Sequence, residues 1–528
     1  MTDVKRISAT ALKAALHDGG EIALLDAREE VAFGMRHLLL ASCVPLSQLE
    51  LRLDDLVPRR DTRAVWCDGG EHLAPEAARR MAGFGWTDVA VLDGGIDAWA
   101  EAGYRLYSGV HVPSKAFAEV VEHEAGTPWI TAVQLNQMIR DGADIAVFDS
   151  RSYAEYHSNS IPTAISVPGA ELVYRFKDLT PSPETTVVVN CGGRTRSIIG
   201  AQSLINAGVP NKVVSLKDGT MAWHLAGLEV VKGGSRRPPA VSDAGLVAAS
   251  EAAARIAARL GIPCIDSSGL EAWRADTGRT LYVFDVRTPE EFEAGHLPEA
   301  RPAAGGQLVQ ETDSHAATWG ARVVLVDDDG VRATMTASWL KQMGWDEVAV
   351  LTFDAAAPGL AKGPHRPKVL GLDAANPPAI DVSALQAKLE AGSATVVDLA
   401  SSRQYRQGHI PGAWFAVRAR LDRVLARLQA VETVVLTSPD GALARLAAAE
   451  QSAPSLVLEG GTEAWSAAGL ALEQGPTHLA DEADDVWLSA RDRDNNREAH
   501  MREYLAWEID LVNQMASDDD HRFRVASF

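Results

Sequence analysis

The chain has 528 residues, too many for one compact core and enough for three to five domains. Its 46% hydrophobic and 23% charged residues place it among ordinary globular proteins. A formal charge of −21, from 50 basic and 71 acidic side chains, excludes a general nucleic-acid binder, which needs clustered Lys and Arg to neutralise phosphates. A local basic pocket for a small anion stays compatible with that balance.

The opening stretch "MTDVKRISATALKAALHDGG" lacks the apolar run of a secretory signal, and nowhere does the chain approach the ~18 apolar residues of a bilayer span. Four cysteines (Cys43, Cys67, Cys191 and Cys264) show neither a disulfide framework nor CxxC spacing. The expectation is a reduced, cytoplasmic protein without metal, cofactor, membrane or nucleic-acid partner.

Taken in chain order, one pattern recurs. Ile7-Ser8 leads to Leu12, then the strand "IALLDAR" ends at Asp26, and Phe33 follows seven residues later. The loop "AVWCDGGEHL" and the closing phrase "VLDGGIDAW" complete the first copy. The second runs from Ile130-Thr131 and Leu135 through "IAVFDSR" (Asp149), Tyr156 and "VVVNCGGRTRS" to "SLKDGTMAW". The third has Ile265-Asp266, Leu270, "LYVFDVR" (Asp285), Phe292 and "VVLVDDDGVRA", but "VLTFDAAAP" replaces its closing Gly and Trp. The fourth has Ile380-Asp381, Leu385, "ATVVDLA" (Asp398), Tyr405, "VVLTSPDGALA" and "LVLEGGTEAW".

The strand-end aspartates (26, 149, 285, 398) and the loop starts (67, 191, 327, 438) advance along the chain in step, so the copies share one register. Ser8, Thr131, Asp266 and Asp381 are good helix N-caps. Short Val/Ile/Leu-rich strands alternating with helices predict an α/β fold whose central parallel sheets are flanked by helices. The domains are expected at 1–108, 126–232, 262–362 and 378–475, with a helical tail at 476–528. Linkers are expected around 109–126, 232–262 and 361–378, where Pro, Gly and Ser collect. In the tail, Met501, Leu505, Ile509 and Val512 fall at helical spacing, beside Tyr504, Leu511 and Met515, which predicts a helix packed on the preceding domains or a homodimer contact.

The strand-Asp-x-Arg phrase, "GHLPEA" at Gly295–Ala300, "GHIPGA" at Gly408–Ala413, the cysteine loop and the closing Gly-x-x-Ala-Trp resemble rhodanese domains. The chain thus resembles a tandem four-domain rhodanese-like sulfurtransferase. That resemblance implies transfer of a sulfane sulfur through a cysteine persulfide, with small sulfur-containing anions such as thiosulfate as donors and cyanide or thiols as acceptors. A persulfide carrier or sensing module with weak thiosulfate turnover is the alternative.

Cys191 is the candidate nucleophile. It stands between a buried strand and a helix expected to begin near Ser197 and to end at Gly208. Gly192 and Gly193 let the backbone curl, so that N–H groups and the helix N-terminus can favour an anion. Arg194 and Arg196 add full charge, and Thr195 and Ser197 complete the expected substrate-binding loop. Together these predict a thiolate, the reactive species. Cys191 to Arg196 is C-x4-R, whereas cysteine phosphatases carry C-x5-R, so the loop length favours sulfur over phosphorus.

Asp149 and Arg151 are expected either to support the loop or to form a local fold-stabilising pair. Ser160 stands where the other copies have His37, His296 and His409, which removes that histidine from any catalytic role in the second copy. Cys67 is a second candidate nucleophile, but Asp68 and Glu71 put negative charge beside it and His72 replaces the terminal arginine. Asp327 and Ser438 replace the cysteine in the last two copies; Arg332 matches Arg196, while Leu443 and Ala400 replace arginines, and both copies are read as inert. Met35, the "HLLLA" run and Cys264 are assigned packing roles.

Overall fold

The computed structural model describes residues 4–180, 182–428, 432–452, 454–493 and 495–528. The chain forms two compact units. One contains the N-terminal segment to Ala14, Ala23–Val110 and Pro367–Trp487; the other contains Ala15–Ile22, His111–Arg366 and Leu488–Phe528.

The second copy shows how the repeat folds. Its strands are β1 (Trp129–Ile130), β2 (Ile145–Asp149), β3 (Ile165–Ser166), β4 (Thr186–Asn190) and β5 (Val213–Leu216), in the order β1-β5-β4-β2-β3. Every pairing is parallel, with Phe148 opposite Val189 and Asp149 opposite Asn190. Both faces of this sheet are covered, as an all-parallel sheet requires. Val187 and Val189 join Phe148 and Leu204 in one core cluster, while Val188 points to the opposite cluster with Leu135, Val214 and Trp223. That alternation places the strand ends, and the loops after them, along one edge.

The other copies repeat the parallel arrangement. In the first, Lys5–Ile7, Val89–Leu92, Ala64–Cys67, Ile22–Asp26 and Ser42–Cys43 are successive neighbours. In the third, Arg301–Pro302, Leu281–Asp285, Arg322–Asp327 and Val348–Thr352 are; in the fourth, Ala379–Ile380, Leu456–Leu458, Thr433–Thr437, Ala394–Asp398 and Trp414–Phe415. The N-caps act as predicted: Thr131 forms a capping box with Gln134, and Asp266 and Asp381 accept from Gly269 and Ala384. The repeated aromatic and histidine form a buried stack, Phe33 on His37, Phe292 on His296 and Tyr405 on His409, with ring centroids 3.7–4.0 Å apart. The rings of these histidines bond backbone carbonyls, His37 to Leu38 and Gly109, His296 to Phe292 and His409 to Tyr405, which makes them packing groups.

Two stretches read as linkers carry helices, α1 (Val112–Ala125) and α3 (Asp243–Leu260). Their flanking Pro, Gly and Ser mark helix ends: Pro113 lies in the first turn of α1, Gly126 closes it, and Ser242 caps α3. Ala249, Ala252 and Ile256 of α3 belong to the core cluster beneath β4. The remaining helices used below are α2 (Thr195–Asn206), α4 (Gly305–Gln310) and α5 (Arg497–Met515). Two packing assignments are corrected: Met35 is 62% exposed, and Cys264 is exposed on a one-residue edge bridge to Val350. Leu38, Leu39 and Leu40 are buried as expected. Among the described residues no helix is long and apolar enough to cross a membrane.

Candidate active site

Cys191 directly follows β4, and the loop it opens runs into α2 at Thr195, two residues earlier than the sequence suggested. Gly208, at φ +74°, follows the end of α2. The loop is held from behind by the helix Gly219–Leu225: the Thr220 N–H donates to the Cys191 carbonyl (2.9 Å) and the Met221 N–H to the Gly192 carbonyl (3.1 Å). Among the described residues, the N–H groups of Gly192, Gly193, Arg194, Thr195 and Arg196 donate to no protein acceptor. They include the first-turn donors that a helix leaves unpaired and that suit an anion.

The Cys191 thiol is 2% exposed. Its S–H donates to Ser197 Oγ at 3.5 Å, and that hydroxyl donates in turn to the Arg194 carbonyl at 2.8 Å. Burial raises the thiol above its ordinary value, outweighing the opposite pull of Arg196 and Ser197. The expected resting thiolate is thus corrected. The sequence counted the charges of the loop but not the dehydration of the sulfur.

The two arginines have different surroundings. Arg194 is buried, with Nε and Nη2 on Glu119 (2.7 and 2.8 Å), Nη1 on Asp218 (2.8 Å) and a further bond to Glu122. Its charge is committed to these carboxylates. Arg196 pairs in bidentate fashion with Glu155 (2.6 and 2.8 Å) and also bonds Gln307 of α4 at 3.0 Å. Burial alone would raise Glu155, but Arg196, with Arg151 and Arg491, holds its carboxyl down to about 2.

Asp149 and Arg151 are fully buried and bond each other twice, at 2.7 and 2.8 Å. Arg151 also donates to the Asn159 carbonyl (2.6 Å), and Asn190, the residue before Cys191, donates to Asp149 (3.2 Å). The same pair recurs as Asp26–Arg28 and as Asp285–Arg287, the latter in a copy without the cysteine. The pair therefore braces the fold, and through Asn190 it touches the start of the loop.

The tail supplies groups that sequence reasoning missed. Thr195 Oγ1 donates to Glu508 at 2.9 Å, Tyr504 OH donates to Glu508 at 3.1 Å, and Arg491 Nη1 reaches Thr220 at 3.4 Å. The buried face of α5 is Met501, Leu505, Glu508, Leu511 and Met515, while Ile509 is 45% exposed. The apolar period had placed Ile509 inward; the available signal was a glutamate at a core-facing position. Lys115 of α1, also buried, lies over the rings of Tyr504 and Trp507 at 5.3 and 5.2 Å.

With this geometry established, the chain can be compared with known proteins. The family model described as "Rhodanese-like domain" matches residues 8–102, 131–226, 268–353 and 381–468. The chain belongs to the rhodanese family. A crystal structure of a thiosulfate sulfurtransferase from Pseudomonas aeruginosa is 46% identical, covers 99% of this chain and all of its own, and superposes with a TM-score of 0.95. A sulfurtransferase of Allochromatium vinosum is 28% identical over 102 residues, 19% of this chain and 92% of that protein. An HTH-type transcriptional regulator of Mycobacterium tuberculosis is 33% identical over 94 residues, 18% of this chain; the match spans 41% of the regulator's length.

In the other three rhodanese domains side chains of the loop itself take up N–H groups, several of them at positions the second leaves open. In the first, the Gly70 and Ala74 N–H groups donate to Asp68 (2.9 and 2.8 Å) and that of Gly69 to Glu71 (2.7 Å). Burial, together with Asp26 and Asp68, pushes the Cys67 thiol well above its ordinary value despite Arg28. In the third, Asp327 accepts from Gly330 (2.7 Å) and Ala333 (2.9 Å), and Asp329 from Val331 (2.8 Å). Arg332, the counterpart of Arg196, is buried among Glu171, Glu291, Asp328 and Asp329. In the fourth, Ser438 Oγ accepts from Ala444 (3.2 Å) and Asp440 from Ala442 (2.9 Å).

Proposed function

We propose that this rhodanese-type sulfurtransferase carries a sulfane sulfur on Cys191, taking it from thiosulfate or a related anion and passing it to cyanide or a thiol. The observation that carries the reading is the contrast between loops. Backbone donors of Gly69, Gly70, Gly330 and Val331 are capped by the chain's own carboxylates, and their counterparts around Cys191 have no protein acceptor among the described residues. An anion cradle beside a cysteine suits a dianionic donor and the persulfide that forms from it.

In the loading half, Cys191 Sγ bonds to the outer sulfur of thiosulfate while the sulfur–sulfur bond breaks and sulfite leaves with the electron pair. In the second half, the acceptor bonds to the outer sulfur and the Sγ–S bond breaks, returning the pair to Sγ. This is covalent ping-pong transfer. Gly192, Gly193 and Thr195 offer N–H donors, Ser197 bonds the thiol, and Arg196 supplies a positive charge that favours the thiolate. Arg194 holds the loop in place through Glu119 and Asp218. Cys67 is assigned no independent transfer, because Asp68 and Glu71 occupy its cradle.

The test is thiocyanate formation from thiosulfate and cyanide by wild type, Cys191→Ser and Cys67→Ser. Loss of turnover in Cys191→Ser alone is the expected result. Turnover that survives Cys191→Ser overturns the assignment, and sulfur uptake without thiocyanate formation points to a carrier instead.

A further inference from the structure

We propose that Glu508 carries the proton of sulfur transfer at Cys191: one carboxylate oxygen takes the thiol proton as the persulfide forms and returns it to Sγ as the outer sulfur departs. The proposal rests on the persulfide reading of Cys191 and adds a catalytic group from outside the rhodanese repeat.

Glu508 is 1% exposed and projects from α5 onto the cysteine loop. Its Oε1 accepts hydrogen bonds from Thr195 Oγ1 (2.9 Å) and Tyr504 OH (3.1 Å), which fix the carboxyl in place. Its Oε2 is buried and hydrogen-bonds to nothing. That oxygen lies 3.2 Å from the point a Cβ on Gly193 would occupy, with Tyr504 at 3.3 Å, so the glycine brings the loop close under the carboxyl. A bare carboxylate oxygen in a dry site is costly, whereas leucine or methionine would suit the neighbouring Met501, Leu505 and Met515. A group that gains and loses a proton during turnover accounts for a glutamate there.

The charged and titratable groups around it come from three elements. Lys115 and Glu119 act on it from α1, Cys191 and Arg194 from the loop, and Tyr504 from α5 itself, while Arg196 at the start of α2 acts on Cys191 and Tyr504. Burial raises the Glu508 carboxyl, while Lys115, Thr195, Arg194 and Tyr504 pull it down. The Cys191 thiol is likewise raised by burial and further by Glu508. Burial thus favours the neutral form of both groups, and negative charge on one opposes negative charge on the other.

During loading, the Sγ–H bond breaks and its proton passes to Oε2 as Sγ bonds to the outer sulfur of thiosulfate and sulfite leaves. During discharge, cyanide or a thiolate bonds to the outer sulfur, the Sγ–S bond breaks, and the Oε2 proton returns to Sγ. Over the cycle the proton is neither lost nor gained, and no oxidant is needed.

The test uses the full chain and Glu508→Gln, with three readouts: sulfur uptake from thiosulfate in a single turnover, followed by intact mass and located by peptide mass; its discharge by cyanide; and the rate of Cys191 alkylation by iodoacetamide. We expect Glu508→Gln to slow both half-reactions about 10²-fold near pH 7, the usual scale of positioned acid–base catalysis, with recovery as pH approaches ionisation of the thiol. Alkylation should be no slower, because the charge opposing the thiolate has gone. Loading that matches or exceeds wild type, in step with alkylation, overturns the proposal and leaves Glu508 as a charge that merely repels the donor. If Glu508→Gln does not fold, Glu508→Asp replaces it; its charge remains, so alkylation should stay at the wild-type rate while the shorter side chain slows loading, and wild-type loading by that variant overturns the proposal. A wild-type chain that takes up no sulfur on Cys191 brings down the persulfide reading itself, an outcome separate from equal loading by both proteins.

Discussion

Gly219→Ala tests how the catalytic loop is held. Gly219 has φ +53°, and a Cβ there would meet the Cys191 carbonyl oxygen, the Gly193 oxygen at 2.7 Å and the Cys191 carbonyl carbon at 2.9 Å. The loop cannot recede freely, because Thr220 and Met221 hold the Cys191 and Gly192 carbonyls by hydrogen bonds. A left-handed alanine costs ~1–2 kcal/mol and overpacking against backbone ~1–3 kcal/mol, so the variant should lose about 2–5 kcal/mol. In a unit of roughly 300 residues that corresponds to a fall of about 3–8 °C in its melting transition.

Displacement of the loop should cost more in turnover than in folding, since a shift of about 1 Å in reacting groups is worth roughly 10²-fold. Gly208→Ala is the matched control. It has φ +74° with nothing within 4 Å of its Cβ position, so it bears the backbone penalty without the clash. Thermal unfolding and thiocyanate formation are measured for both. If Gly219→Ala melts with Gly208→Ala and turns over within twofold of wild type, the argument that the closing glycine positions the loop is wrong.

Two further outcomes follow from buried charge. Arg194→Gln leaves Glu119, Glu122 and Asp218 facing one another without their shared cation, and it should lower denaturant stability by about 3–5 kcal/mol; a loss below ~1 kcal/mol would show that the cluster is not bound by that arginine. Asp398 lacks the arginine of the Asp-x-Arg pair, Ala400 standing there, and burial raises its carboxyl to about 6. Its folded value exceeds the unfolded one, so the protonated form favours folding, and stability falls by about 3 kcal/mol as pH rises from ~4 through ~6. Asp398→Asn should flatten that part of the pH–stability curve of the unit that contains it, and an unchanged curve would refute the attribution.

The fourfold repeat, the parallel sheets and the place of the Cys191 loop between a strand and a helix were legible because a repeated register overrides weak local signals. Strand-end aspartates and loop starts had to coincide four times, and the hydrophobic phrases between them left little choice of fold. What escaped the sequence lay in context. Pro113 and Ser242 looked like linker residues because Pro and Ser mark both loops and the first turns of helices. Arg194 and Arg196 differ by two positions in one loop, yet α1 supplies Glu119 and Glu122 to the first, while Glu155 and Gln307 meet the second. Glu508 lies more than 300 residues beyond the loop it touches, on a helix whose phase was misjudged because its inward face includes a charge.

On the proposed reading of Cys191, a buried cysteine after a rhodanese strand is not enough for transfer, as comparison with Cys67 brings out. Both thiols follow the central strand, both domains have the Asp-x-Arg brace, and burial raises both thiols. The difference lies in the donors that follow. An unpaired N–H in a buried loop is costly, and a carboxylate two or three residues away is the nearest remedy. Asp68 and Glu71 apply that remedy in the first domain, as Asp327 and Asp329 do in the third. Each such bond stabilises its loop and removes a place for an external anion, so stability and binding draw on the same hydrogen-bond donors. Around Cys191 the donors are left open, and the nearby carboxyl comes instead from Glu508, which bonds the Thr195 hydroxyl and leaves the loop N–H groups free. The proposed function therefore requires that a negative group close to the cysteine stay off the backbone donors, as Glu508 does and Asp68 and Glu71 do not.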